Sequence, residues 1–226
     1  IPNRLFEHLQ YSVCAIVASI ILAVPVAVWL GHRRQFGTIA VNVSNVGRAI
    51  PSFAILVLGS QAFGLLELPV IGSFTTFIAL VALAVPPLVT NAYVAVAEVP
   101  DEIRDSARGV GMSEGEILRR IELPISVPLL MAGVRTASVQ VVATATIAAF
   151  VGAGGLGRFI IDGRAIFDNT EIFAGALLVA LLSLVVEVAL GVAQRVLTPR
   201  GLHAELVTAR AAAVAAIPQP DGKVSL

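Results

Sequence analysis

Residues 109–124 read GVGMSEGEILRRIELP, and they close a polar island that runs from about Glu98 to Pro124. Long apolar sequence flanks the island on both sides. Why does a chain suited to lipid keep a glycine corner and a cluster of charges at its middle? The flanks set the class. Of 226 residues, 57% are hydrophobic and 13% charged, roughly half the ~25% charge of an average soluble domain. Mean hydropathy is +0.91. Apolar runs near 20 residues suffice to cross a hydrocarbon layer of ~30 Å, and the alternating ~10-residue segments of a membrane barrel do not occur. The expected fold class is all-α and polytopic.

Hydropathy places spans at about Leu9–Leu30, Gly37–Ser60, Gly72–Val96, Ile125–Val151 and Ile172–Val196, about five in all. The second is interrupted by Asn42, Asn45, Arg48 and Pro51. The first is followed by GHRRQ, with no small-residue cleavage pattern, and reads as a retained span and not a removed signal. Loop arginines then orient the chain. Arg33, Arg34, Arg104, Arg108, Arg119, Arg120, Arg195 and Arg200 fall on one side; Arg4, Arg158 and Arg164 fall on the other. The richer side is expected to be cytoplasmic. That puts the amino terminus outside, and the island and carboxyl terminus inside. Residues 1–200 then form a transmembrane domain with a cytoplasmic loop over 98–124. Residues 201–226 form a cytoplasmic tail, helix formers (AELVTARAAAVAA) followed by a Pro/Gly-broken and disordered end.

Zero net charge gives no field for nucleic acid. A single cysteine, Cys14, cannot close an intrachain disulfide. His8, His32 and His203 lack metal-ligand spacing, and no Ser-His-Asp arrangement is recognisable, so no catalytic site, metal or cofactor is expected in this chain. Gly152, Gly154 and Gly157 fit G-x-G-x-x-G, but a dinucleotide site needs a strand before it and a βαβ unit around it. At the outer end of a membrane span, these glycines suit close helix packing or a flexible outer gate. No phosphate-binding P-loop motif exists in the chain.

The island itself reads as two short helices. Pro100 suits a first helical turn, and Asp101 and Glu102 sit near its positive end. Gly109 or Gly111 can end that helix in the left-handed region. Ser113 and Glu116 form a capping box for a second helix through about Ile121, which Pro124 then closes. Ile103, Ala107, Met112, Ile117, Leu118 and Ile121 can share one apolar side. A charged knob with its own apolar side suits a protein partner, against the plainer reading of a solvated loop.

Gly111, nine residues, then Ile121-Glu122-Leu123-Pro124 resembles the cytoplasmic Glu-Ala-Ala signature of importer permeases in the ATP-binding cassette (ABC) superfamily, with Asp105, Ser106 and Ala107 at the Glu-Ala-Ala positions. Asp105 is one methylene shorter than the glutamate of the signature, and Ser106 stands for its first alanine. RAIPSFAIL (residues 48–56), VPPLVTNAYVAVAEVP (85–100), MAGVRTA (131–137) and FVGAGGLG (150–157) are similar to the osmoprotectant branch, whose members import glycine betaine, choline, carnitine or proline betaine. GAGGLG is equally similar to methionine-importer permeases, so another small solute such as an amino acid is an alternative. The resemblance implies a type I importer permease in a bacterial cell membrane. It implies a knob that couples, through Asp105, Ser106, Ala107, Gly111, Ile121, Leu123 and Pro124, to two ATP-binding subunits that hold ATP and Mg. It also implies a second permease chain, identical or related, and an extracytoplasmic solute-binding protein.

Arg48 and Glu187 are ionisable groups inside spans and need a reason to be there. At 1.5 Å per residue they lie roughly 16 and 12 Å from the cytoplasmic ends, near enough to pair. Arg135 is a rival partner for Glu187, and snorkelling to the interface is the alternative for each. With Asn91, Thr90 and Gln140 these residues are candidates for a translocation path or gate. One Trp and two Tyr make no aromatic cage for a quaternary ammonium. An ion-coupled carrier, with acids and broken helices at its midplane, and a non-transporting scaffold are the rival functions.

Overall fold

The computed structural model describes residues 1–34 and 71–199, with positions 37, 42, 54, 56–59 and 61 between them. The described residues are helical, with no strand among them. In chain order they form α1 (Pro2–Arg33), α2 (Ile71–Ala97), α3 (Asp101–Gly109), α4 (Glu114–Ile117), a π turn (Leu118–Glu122) and α5 (Leu123–Thr144). A 3₁₀ turn (Ala145–Val151), α6 (Gly157–Ala165) and α7 (Asn169–Leu197) complete them. Among the described residues, the helices long and apolar enough to cross a membrane are Pro2–Arg33, Phe74–Ala97, Glu114–Val151 and Asn169–Leu197. These carry the first, third, fourth and fifth expected spans. The second expected span lies largely outside the described residues; Arg48 and the tail 201–226 lie wholly outside them.

Small side chains decide how α1 packs. Ala15, Ser19, Ala23, Ala27 and Gly31 recur at every fourth position and all are buried, so one ridge of α1 lets a neighbouring backbone come close. At Gly31 an added Cβ would stand 2.7 Å from the Tyr93 carbonyl oxygen of α2. The shared core joins Ala15 and Ala23 of α1, Leu80, Ala84 and Leu88 of α2, and Ala137 and Val141 of α5. A second cluster of Ala27, Val28, Ala92 and Val96 lies nearer the knob, and Leu118 and Leu123 pack onto it. On the opposite flank, α7 keeps Phe173, Leu177, Leu181, Leu184, Val185, Val188 and Val192 exposed. So apolar a surface has no place in water; it suits lipid or another apolar helix.

Pro124 does not close a helix. The chain runs from α4 through the π turn into α5, with Pro124 in the first turn of α5. Proline has no N–H for the Arg120 carbonyl. The backbone widens locally, Leu123 N–H bonding to Leu118 O, and the helix continues into the membrane-spanning segment.

Candidate functional site

The knob consists of α3, the Gly111 corner, α4 and the π turn. Asp101 and Glu102 occupy the first turn of α3, where the helix dipole favours negative charge. Gly111 sits at φ +87, the left-handed conformation that turns α3 towards α4. The backbone N–H of Ser113 donates to Glu116 Oε2 at 3.1 Å, and the Ser113 hydroxyl donates to the same oxygen at 2.9 Å. This fixes the start of α4.

The knob's apolar side is mostly spent inside it. Ala107 and Ile117 are buried, and Leu118 rests on the helix bundle, while Ile103 (39%) and Val110 (79%) stay exposed. The outward surface is otherwise polar. Asp105 is exposed and ion-paired to Arg108 at 2.9 Å, and Arg108 also bonds Glu114 at 2.8 Å. Glu114 and then Asp105 raise the Arg108 guanidinium further above its ordinary range. Ser106 donates to Glu102 O at 2.6 Å. Ile121, Leu123 and Pro124 are half-buried at the base.

Beneath the knob lies a cluster that its sequence pattern did not single out. Glu122, the variable position of Ile-x-Leu-Pro, has no exposed surface, and Arg104 is 3% exposed. Arg104 Nε stands 2.9 Å from Glu122 Oε1, off the line of a hydrogen bond. His32 Nδ1 meets Glu122 Oε2 at 2.7 Å, and His32 Nε2 lies 3.5 Å from Glu114 Oε2. Arg104 also donates to the Val96 carbonyl at 2.8 Å and to the His32 carbonyl at 3.4 Å. Burial lowers the Arg104 pKa, and the Glu122 charge partly offsets this. Arg34, in the left-handed cap of α1, pairs with Asp101 at 2.5 Å and donates to Val99 O at 2.7 Å. That bond holds the exposed Asp101 carboxyl below its ordinary range. A cleft of about 580 Å³ opens beside these contacts, edged by Trp29, Arg33 and Gly115.

The intramembrane candidates separate into two groups. Arg135 Nη2 meets Glu187 Oε1 at 2.5 Å, joining α5 to α7. Arg135 Nη1 also donates to Gln194 Oε1 at 3.4 Å, and Gln194 Nε2 donates to the Pro128 carbonyl at 2.7 Å. Glu187 thus has Arg135, the rival candidate, as its partner, whereas Arg48 lies outside the described residues. Asn91 folds back on the Pro87 carbonyl at 2.7 Å and faces Gly133, where an added Cβ would stand 2.6 Å from the Asn91 Cβ. Gln140 is half-buried on α5.

The glycine segment after the 3₁₀ turn packs tightly against α1. Glu7 accepts from Gly155 N–H at 2.9 Å, and His8 Nδ1 accepts from Leu156 N–H at 3.3 Å. His8 Nε2 faces the Val142 carbonyl at 2.9 Å. With Nδ1 accepting, Nε2 is the nitrogen that carries the proton and donates. Gly154 and Gly157 serve close packing, against the Glu7 carboxylate and the Thr146 carbonyl, whereas Gly152 has open space around it and takes the left-handed cap of the 3₁₀ turn at φ +81.

A braced knob on an all-α membrane domain defines a class. The chain belongs to the binding-protein-dependent transport system inner membrane components, whose family pattern matches residues 15–202. It is a multi-pass cell-membrane protein. The choline transport system permease protein OpuBB of Bacillus subtilis is 33% identical over 200 residues, 88% of this chain and 89% of that one. The carnitine transport permease protein OpuCB of Listeria monocytogenes is 36% identical over 198 residues, 88% of each chain. The osmoprotectant import permease protein OsmW of Salmonella typhimurium is 33% identical over 198 residues, 88% of this chain and 92% of that one. A chain of the MetNI methionine ABC transporter, solved in inward-facing conformations, superposes with a TM-score of 0.77 at 21% identity. The superposition covers 88% of this chain and 96% of that chain. The fold is that of a type I ABC importer permease.

Proposed function

We propose that this chain is the membrane-spanning permease subunit of an ATP-driven importer for a compatible solute such as choline, glycine betaine, carnitine or proline betaine. Relatives named for choline, carnitine and osmoprotectant transport, each aligned over 88% of this chain, support the solute class. The observation that carries the mechanism is the knob, a polar element folded on its own small core and rooted in three helices of the bundle. It docks on an ATP-hydrolysing partner through Asp105, Ser106 and Gly111; Ala107, expected on that surface, is buried and packs the knob from inside, while Ile121, Leu123 and Pro124 form its root. ATP and Mg belong to that partner, which is present twice, and this chain hydrolyses nothing.

In this reading the knob faces the cytoplasm, the amino terminus lies outside, and a second permease chain completes the path. The exposed apolar flank of α7 is consistent with such a neighbour and with lipid. A solute-binding protein delivers the solute to the outer face. Closure of the ATPase pair moves the knobs as rigid bodies and turns the path outward; hydrolysis turns it inward. Arg135 and Glu187 hold α5 and α7 together as these helices move, and Asn91, Gln140 and Arg48 are the polar groups offered to the path.

Proteoliposomes containing the permease, its ATPase and the binding protein test the proposal. With ATP on the ATPase side, uptake of choline, glycine betaine or carnitine is expected, and none without ATP. Uptake driven by a proton or sodium gradient in the absence of the ATPase would instead establish an ion-coupled carrier. ATP-driven uptake of methionine alone would leave the class standing and overturn the solute.

A further inference from the structure

Two routes lead from the knob into the membrane domain, and they differ in stiffness. The direct one passes up α5. It begins at a π turn, and Pro124 and Pro128 remove two backbone donors from the first turns of α5. A helix that has lost regular hydrogen bonds in this way is a compliant joint. The other route runs sideways into α1, through His32 and Arg34, and it is built from charge.

Charge buried to this degree constrains motion. The Glu122 carboxylate and the Arg104 guanidinium are almost wholly removed from solvent, and Arg104 donates to the carbonyl of Val96, itself buried. Such groups stay ionised at tolerable cost only while partnered. Their partners come from separate elements: His32 from α1, Arg104 from α3 and Glu122 from the π turn, with Glu114 of α4 at the far nitrogen of His32. Sliding the knob away from α1 would take His32 from the buried Glu122 Oε2 and the His32 carbonyl from Arg104, leaving Arg104 as the one charged partner of Glu122. Exposed pairs such as Arg34–Asp101 exchange with water instead.

We infer that His32, Arg104 and Glu122 bind the knob and the end of α1 into one rigid body, so that motor motion enters the membrane domain through α1 as well as α5. They are positioning residues for coupling. The inference rests on the proposed docking of the knob to an ATPase.

The test uses the full complex in proteoliposomes, with whichever of choline, glycine betaine and carnitine the wild-type complex takes up. Absence of ATP-driven uptake by the wild type would count against the docking reading, before any variant is compared. With the wild type active, Glu122→Gln is expected to co-purify with the ATPase and hydrolyse ATP, while solute moved per ATP falls about tenfold, since it removes one member of a buried ionic cluster. Arg104→Lys, which keeps the charge, falls less than Arg104→Met. Unchanged solute per ATP in Glu122→Gln overturns the inference.

A second arm stands even where Glu122→Gln fails to assemble. In a Cys14→Ser background, His32→Cys and Glu114→Cys are joined by a short thiol crosslinker. One rigid body predicts that the joined complex transports, and better per ATP than the same variant before crosslinking. A crosslink that stops transport would show that α1 and the knob must separate during the cycle, and would overturn the inference.

Discussion

Arg135 and Glu187 are the charged residues whose pairing asks for explanation inside the spans. Side chains 40% and 37% exposed, in helices read as membrane-spanning, face lipid, a neighbouring chain or a water-filled path. Each has a partner, and removing one strands the other. Arg135→Gln and Glu187→Gln are each expected to lower stability in detergent by about 1–3 kcal/mol, with the double variant recovering part of that loss. A thermal-unfolding cycle over the four proteins checks this; strictly additive losses would remove the pair from the account. The residues of the knob were legible because their spacing lies within one short stretch, Asp105 to Pro124. The brace was not. His32 and Glu122 are 90 positions apart, and Arg104 read only as one more loop charge. A histidine just past a span end, opposite an acid at the foot of a polar island, was the available signal.

The helices themselves follow from apolar length and from where small residues recur. α2 and α5 touch through Gly133, where an added Cβ would meet the Asn91 Cβ at 2.6 Å and the Pro87 carbonyl at 3.3 Å. Gly133→Val is therefore expected to part these helices and cost about 1–3 kcal/mol, read as a lower melting temperature of the purified protein. Asp168 caps α7 by accepting from Thr170 N–H at 2.8 Å and Glu171 N–H at 3.2 Å. Asp168→Ala is expected to cost about 1 kcal/mol. A melting temperature unmoved by either change would contradict the packing and capping described. Hydropathy located four described spans, closely at both ends of the third and fifth, while the helices of the first and fourth begin earlier, at Pro2 and Glu114. It read Pro124 as a stop because proline ends most soluble helices; here a π turn absorbs the missing donor and α4 flows into α5.

Taken as a whole, the molecule is a small-residue bundle clamped at both ends. At one end Glu7 and His8 hold the glycine turn through backbone N–H groups, and at the other the buried ionic cluster holds the knob. His8 accepts from Leu156 only as the neutral ring protonated on Nε2. His8→Leu removes both contacts and leaves the Leu156 N–H and the Val142 carbonyl unpaired. It is expected to loosen the turn, seen as faster hydrogen exchange over 152–157 than in the wild type; equal exchange would deny the clamp. The bundle's class was readable from composition, whereas the clamps depend on side chains brought together only by the fold.

The central claim is that the knob is the handle of a separate motor. A photo-crosslinking residue placed at Val110, 79% exposed at the knob's corner, tests it most directly in membranes carrying the assembled complex. The account predicts an adduct between this chain and the ATP-hydrolysing subunit whose yield changes when ATP is bound. An assembled complex that imports solute yet gives no ATPase adduct from Val110, Ile103 or Asp105 would contradict it.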